Sequence, residues 1–242
     1  MQKILGYMRK AIDQYNMIED GDKIAVALSG GKDSTTMLLG LKNLQRFYPK
    51  KFDIIGITIN PGFEFYDTTY LRNTCKDLNI PFVEEQSHTK EIVFDIRNEK
   101  NPCSLCAKLR RGILNNTAKE LHCNKIALGH HADDLVETFM LSMFYEGRLS
   151  TFEPKTYLDK VDAYVIRPLL YVREIQIIGA SKNLPILHNC CPADKNTKRE
   201  YVKDLLKQIN KDVPNVVEKI HGALIHGERN NLIPEITRKN KV

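Results

Sequence analysis

Apolar residues near the start of the chain fall at Ile4, Leu5, Met8 and Ile12, the spacing of one face of an amphipathic helix within Met1 to Asn16. A polar turn, Glu19 to Asp22, precedes the continuous apolar run Ile24 to Leu28, which predicts a buried strand. The segment Ser29 to Ser34 (SGGKDS) interrupts the run, and TTMLLGLKNL then returns to helical spacing through about Phe47. Phe52 to Asn60 (FDIIGITIN) is almost unbroken and β-branched, as expected of a parallel strand covered on both faces. After Pro61-Gly62, YDTTYLRNTCKDLN reads as a helix and IPFVEEQ as a third strand.

The alternation restarts beyond a loop around Asn101-Pro102-Cys103. AKLRRGILNNTAKELH is helical, KIALGHH is a strand running into a loop, and DLVETFMLSMFY is helical. Gly147 to Asp162 is less regular, AYVIRPLL reads as a further strand, and the chain from about Tyr171 is mostly helical. Strands alternating with helices predict an α/β fold, a doubly wound parallel sheet with a C-terminal helical extension. We expect a main domain over 1–170, with the N-terminal helix and a Cys-x-x-Cys insert, and a subdomain over 171–242 carrying the later cysteines. Ligands are expected at the carboxyl ends of the strands, near the point where strand order reverses.

Composition narrows the class only slightly. The 242 residues are 42% hydrophobic and 27% charged, ordinary for a globular enzyme, with a modest net charge of +6 that is compatible with an acidic partner such as RNA. The first ten residues are broken by charge and predict no signal peptide, and no stretch is apolar enough for a membrane span. These readings predict a cytoplasmic protein without a membrane partner.

Chemistry enters at SGGKDS. Gly30 and Gly31 let backbone N–H groups approach phosphate oxygens, and the following helix adds the positive end of its dipole. Ser29 and Ser34 offer hydroxyls and Lys32 a cation, while Asp33 suits a Mg²⁺ ligand better than a phosphate contact. The loop is too short for the Walker pattern. A second rim element, ALGHHADDLVET, should bring Gly129, His130 or His131, Asp133 and Asp134 to the same edge, with Asp133 and Asp134 as further Mg²⁺ candidates.

The six cysteines include the Cys-x-x-Cys pair Cys103 and Cys106, placed where a loop meets a helix whose N-terminus should lower their pKa. By itself the pair fits zinc, an iron–sulfur cluster or dithiol chemistry. Adjacent Cys190 and Cys191 count as one ligand, giving a three-cysteine set with one coordination position open. Cys191 is the expected third ligand, with Cys190 as its alternative. Cys75 and Cys123 have no partner spacing and read as packing residues.

SGGKDS resembles the pyrophosphatase loop (PP-loop) of the N-type ATP pyrophosphatases. The ordered set SGGKDS, CSLCAKLRRGIL, KIALGHHADDLVETFMLSMFY, VIRPLLYVRE and a later cysteine, over roughly Asp22 to Ile225, resembles the tRNA-cytidine 2-sulfurtransferase family. That resemblance implies replacement of the C2 oxygen of an anticodon-loop cytidine, position 32 of tRNA, by sulfur. It implies ATP, Mg²⁺ and a [4Fe–4S] cluster on three cysteines, with sulfur from a cysteine desulfurase or another sulfide donor. AMP would pass to the base oxygen and pyrophosphate would leave. Lys32, Asp33, Asp134 and Cys191 become the expected catalytic residues, and Ser29, Gly30, Gly31, Ser34, Gly129, His130 and Asp133 the expected nucleotide contacts.

Basic residues next to the cysteines, Arg110, Arg111, Lys198 and Arg199, are candidates for RNA contact. Arg167 inside VIRPL reads instead as buried and paired. Two rival functions remain at this level, namely a tRNA 2-thiouridine synthase and a non-catalytic zinc- and nucleotide-binding RNA module. The amphipathic N-terminal helix offers a possible homodimer contact.

Overall fold

The computed structural model describes residues 1–64, 66–97, 102–182, 184, 191 and 198–226. The helix α1 (Gln2–Gln14) leads into β1 (Asp22–Ala27), α2 (Lys32–Leu44), β2 (Phe52–Asn60), α3 (Thr69–Asp77) and β3 (Phe82–Gln86). A short π-helical turn, Glu91–Ile96, precedes α4 (Pro102–Glu120), β4 (Lys125–Ala127) and α5 (Ala132–Glu146). The hairpin β5 (Lys155–Leu158) and β6 (Ala163–Ile166) follows, then α6 (Glu174–Ser181), α7 (Lys198–Asp212) and α8 (Val216–Ile225).

The six-stranded sheet has the order β3-β2-β1-β4-β6-β5. Every pairing is parallel except β5 with β6. The expected parallel, doubly wound sheet is therefore present, with one antiparallel edge strand. That strand lies in the stretch read as irregular. Its register pairs Leu158 with Ala163 across the turn Asp159 to Asp162, where Asp162 has φ of +52° and accepts from the Tyr157 hydroxyl at 2.6 Å. A four-residue strand carries too little alternation to read, and it is the partner β6 that makes it a strand.

Burial on both faces explains the apolar strands. Ile24 and Val26 of β1 are fully buried, as is Ala25 on the opposite face. Ala25 joins Ile55, Ile57, Ile59, Ile126 and Val165 in one cluster, closed by Leu114 and Ala118 of α4. The apolar stripe of α1, Ile4, Met8, Ala11 and Ile12, is buried inside the chain itself, so the dimer contact expected of it is not available.

Contacts group the chain into two units, Met1–Asp134 with Phe152–Thr197, and Leu135–Thr151 with Lys198–Val242. This grouping runs differently from a cut at residue 170. The greater part of α5 joins the later helices, because Val136 and Met140 pack with Val202, Leu206 and Val216. Among the described residues, no helix is long and apolar enough to cross a membrane.

Candidate functional site

Strand order reverses between β1, which pairs with β2 on one side, and β4 on the other. The chains leaving the carboxyl ends of those two strands are Leu28 to Gly31 and Leu128 to His131, so the expected rim positions coincide. Leu28 N–H still donates to Ile57 O at 2.8 Å, and buried Thr58 Oγ1 donates to Leu28 O at 2.7 Å. The loop begins only after this anchor.

Within the loop Gly30 takes φ of +82°, a conformation that favours glycine, and Gly31 caps α2 in extended backbone. Ser34 Oγ donates to Gly31 O at 3.0 Å. With its one hydrogen committed, Ser34 Oγ accepts from Ser29 N at 3.3 Å and from Ser29 Oγ at 3.2 Å. Tyr70 OH donates to Gly30 O. The loop is thus tied by its own side chains, while the first-turn N–H groups of α2 have no intrahelical acceptor and remain donors for an anion.

Gly129 brings the second rim element against this loop. A Cβ there would stand 3.2 Å from the Asp33 carbonyl carbon and 3.2 Å from Ser34 N, both backbone atoms. His131, buried, sits among three carboxylates. Its Nε2 is 3.7 Å from Asp33 Oδ1 and 3.4 Å from Asp134 Oδ2, and its Nδ1 is 3.7 Å from Asp133 Oδ2. Asp33 Oδ1 is buried without a hydrogen-bond partner. An orphaned carboxylate oxygen at a phosphate loop fits a divalent cation ligand.

Lys32 does not border the pocket described below. Its ammonium lies 3.2 Å from Asp33 Oδ2 and 3.0 Å from Glu174 Oε1. Burial acts to lower its pKa, but Asp33 and Glu174 outweigh that and hold it above the usual lysine value. Asp133, expected at the nucleotide, is engaged elsewhere. Arg173 grips it through Nε at 3.1 and 3.2 Å and Nη2 at 2.9 Å, and Glu174 N donates to it at 2.7 Å. Both oxygens are committed to holding the start of α6, which argues against a role as Mg²⁺ ligand.

A pocket of about 410 Å³ opens at this rim. Ser29, Asp33, Ser34, Gly129, His130 and Asp134 line it from the two loops, and Ala107, Arg110, Arg111 and Leu114 line it from α4. The helix that carries Cys103 and Cys106 therefore borders the same space as the phosphate loop. Pro102 occupies its first position, where the missing N–H costs nothing.

Cys103 is exposed, and Cys106 and Cys191 are half-buried. The Cys106 thiol is pushed up, not down as expected from the helix N-terminus. Burial is the main cause, and the nearby thiols Cys191 and Cys103 add to it, while the charge and hydrogen bond of Arg110 oppose it. Both other thiols therefore lie close enough to Cys106 to act on it. Among the described residues, no three His, Cys, Asp or Glu side chains converge to hold a single ion. A cluster asks for less convergence, because each thiolate binds a different iron, so an all-sulfur set fits an iron–sulfur cluster better than one zinc. Cys190 lies outside the described residues. Cys75 and Cys123 are buried at 0% and 4% exposure, as packing residues.

Lys198 and Arg199 belong to the other unit. Arg199 donates to Glu137 Oε2 at 3.0 Å and to Thr138 Oγ1 at 3.2 Å, which ties α7 to α5, and Lys198 Nζ stands 4.2 Å from the centre of the Tyr145 ring. Residue-by-residue reading offered His131 only as an alternative to His130, read Arg167 as buried and paired, and left Glu174 outside the site. Glu174 and Arg167 stand in VIRPLLYVRE, a stretch whose order signals importance without saying what each residue touches.

The PP-loop domain model matches residues 5–213. A tRNA-cytidine(32) 2-sulfurtransferase of Syntrophotalea carbinolica is 38% identical over 92% of this chain and 88% of its own. That of Pseudomonas entomophila is 44% identical over 89% of this chain and 80% of its own. Among solved structures, the U34-tRNA thiolase NcsA from Methanococcus maripaludis with its [4Fe-4S] cluster is similar at a TM-score of 0.73. It is 25% identical, over 100% of this chain and 81% of that one. On the match to the domain model and to these relatives, the chain belongs to the tRNA-cytidine(32) 2-sulfurtransferase family of PP-loop proteins.

Proposed function

We propose that this protein is a tRNA sulfurtransferase that uses ATP to replace the C2 oxygen of cytidine 32 with sulfur, giving 2-thiocytidine. The observation that carries the reading is the shared pocket. A phosphate loop at Ser29, Asp33 and Ser34 and a thiol-bearing helix at Ala107, Arg110 and Arg111 border one space. ATP activation and sulfur delivery need that adjacency, since the activated base must meet sulfur before water reaches it.

The C2 oxygen of cytosine is a poor leaving group, and adenylation makes it a good one. ATP would set its β- and γ-phosphates against the first-turn N–H groups of α2 and the hydroxyls of Ser29 and Ser34. Lys32, held charged by Asp33 and Glu174, would stabilise the departing pyrophosphate electrostatically. Transfer of AMP to the base oxygen releases pyrophosphate, and entry of sulfur at C2 then expels AMP. Asp33, through its buried Oδ1, and Asp134 would hold Mg²⁺.

Cys103, Cys106 and Cys191 would hold a [4Fe–4S] cluster. When bound, it supplies an iron position without a protein thiolate, where sulfur can be held. A cysteine desulfurase or another sulfide donor would provide that sulfur, and tRNA places the reaction in the cytoplasm. The relatives named for cytidine at 38–44% identity favour cytidine over uridine, since the uridine thiolase structure is 25% identical.

The test is mass spectrometry of tRNA nucleosides from the host with and without this gene. Deletion should remove 2-thiocytidine, the wild-type gene should restore it, and a Lys32→Ala copy should not. Loss of a 2-thiouridine with 2-thiocytidine intact would overturn the base assignment, and unchanged thionucleosides would overturn the function.

A further inference from the structure

Beside the pocket lies a positive charge that makes no ion pair among the described residues. Arg167, just beyond β6, is 9% exposed. Its hydrogen-bond partners are neutral. Nε donates to His130 Nδ1 at 3.3 Å, and Nη1 donates to the Glu153 carbonyl and to Thr156 Oγ1 at 3.4 Å. The guanidinium lies 4.9 Å from the centre of the Phe152 ring. Burial lowers its pKa to about 10, Arg111 adds to that effect, and the Glu153 carboxylate opposes it more weakly. The expectation that Arg167 is buried holds, but among the described residues it makes no ion pair.

A buried cation without a carboxylate is costly, because nothing returns its lost hydration. Here the arrangement has a definite consequence for His130. An arginine Nε has only a hydrogen to give, so His130 Nδ1 must accept, and the neutral ring carries its proton on Nε2. The ring also stacks on Phe152, with centroids 5.0 Å apart and planes at 29°. His130 is thereby fixed in tautomer and plane as a hydrogen-bond donor. It lines the pocket together with Arg111. The other charges bordering that space have their own partners. Asp33 faces Lys32 and His131, Asp134 faces His131, and Arg110 faces Cys106.

We propose that Arg111 and His130 form a phosphate seat in this pocket, with Arg167 as the positioning residue that orients His130 and supplies the unbalanced charge. The proposal rests on the nucleotide and RNA reading of the pocket and extends it, because the glycine loop accounts for the pyrophosphate and leaves a further phosphate to be held. That phosphate is either the one retained in AMP or a backbone phosphate of the RNA. Arg167 differs from a purely structural arginine in that its removal changes the His130 tautomer and anion binding together.

AMP binding by calorimetry and binding of an anticodon stem-loop RNA by fluorescence anisotropy separate the two sources. Arg111→Met, which removes a charge-assisted contact, and Arg167→Met, which removes the charge and the hydrogen bond that orient His130, are each expected to weaken one of these probes by about tenfold. A loss for AMP assigns the seat to the nucleotide, and a loss for RNA assigns it to the backbone. Nitrogen NMR of the histidines should place the His130 proton on Nε2 in the wild type and distribute it over both nitrogens in Arg167→Lys, which keeps charge but lacks Nε–H. If Arg167→Met does not fold, the histidine spectrum of Arg167→Lys and the binding of both probes to Arg111→Met decide instead. A wild-type proton on Nδ1 overturns the proposal, as does binding of both probes within about twofold of wild type in the folded variants. Neither readout needs thiolation, so a chain that binds AMP but forms no thionucleoside would sink the functional reading and leave the seat standing.

Discussion

Gly129 shows how a close approach of two backbone segments can exclude a side chain. Its Cα lies so close to the start of α2 that a methyl group would press on the Asp33 and Ser34 backbone. Those are the atoms expected to face phosphate. Gly129→Ala should therefore move the phosphate loop by a few tenths of an ångström and weaken ATP binding about tenfold, with the melting temperature little changed. Calorimetric titration with ATP, beside a thermal melt, checks this, and unchanged affinity would show that the close approach is incidental. The residues of SGGKDS were legible because each has a local job around one turn. Asp133 was not, because a carboxylate in the first turn of a helix can face several partners. Only the fold brought Arg173 to it.

Among the elements, α4 is the one that joins two chemistries. Its first turns carry Cys103 and Cys106, its middle lines the pocket with Arg110 and Arg111, and its far half packs Leu114 and Ala118 into the core. This division predicts that Cys106→Ser, after oxygen-free purification, loses most of its iron and its visible absorption while keeping its helical circular dichroism. Cys123→Ser, buried away from the pocket lining, should keep the iron. Equal iron in both variants would remove α4 from the cluster. The helix was legible from its spacing, although its first turn, Pro102 to Cys106, read as loop, whereas β5 was not legible. A four-residue edge strand is made by the partner it pairs with, and that partner lies outside its own sequence window.

Stability belongs to the whole molecule, and Cys75 exposes one pH-dependent part of it. The thiol is buried beside Gly56 of β2, and burial raises its pKa from 9.0 to about 11. An acid whose folded pKa is raised adds stability that is complete below its unfolded pKa and is lost as pH rises through the folded one. The urea midpoint of the wild type should fall between pH 9.0 and about 11. In Cys75→Ala that fall should be shallower, though the midpoint starts lower because of the small cavity. Parallel pH profiles for the two proteins would argue against a buried thiol. The same tight packing holds β1 and β2 in register, and with them the loop that leaves β1.

The alternation of parallel strands with helices, the position of the phosphate loop and the family were all present in the sequence. Each depends on residues close together in the chain, or on motifs whose order is itself the signal. The tertiary structure decided what such local patterns cannot carry. It placed β4 beside β1, and so set Gly129 against Asp33 and surrounded His131 with carboxylates. It turned Lys32 to Glu174, and it buried Arg167 behind His130 with no ion pair among the described residues. These are contacts between residues far apart in sequence, and a side chain's charge state and partner follow from what the fold brings near it.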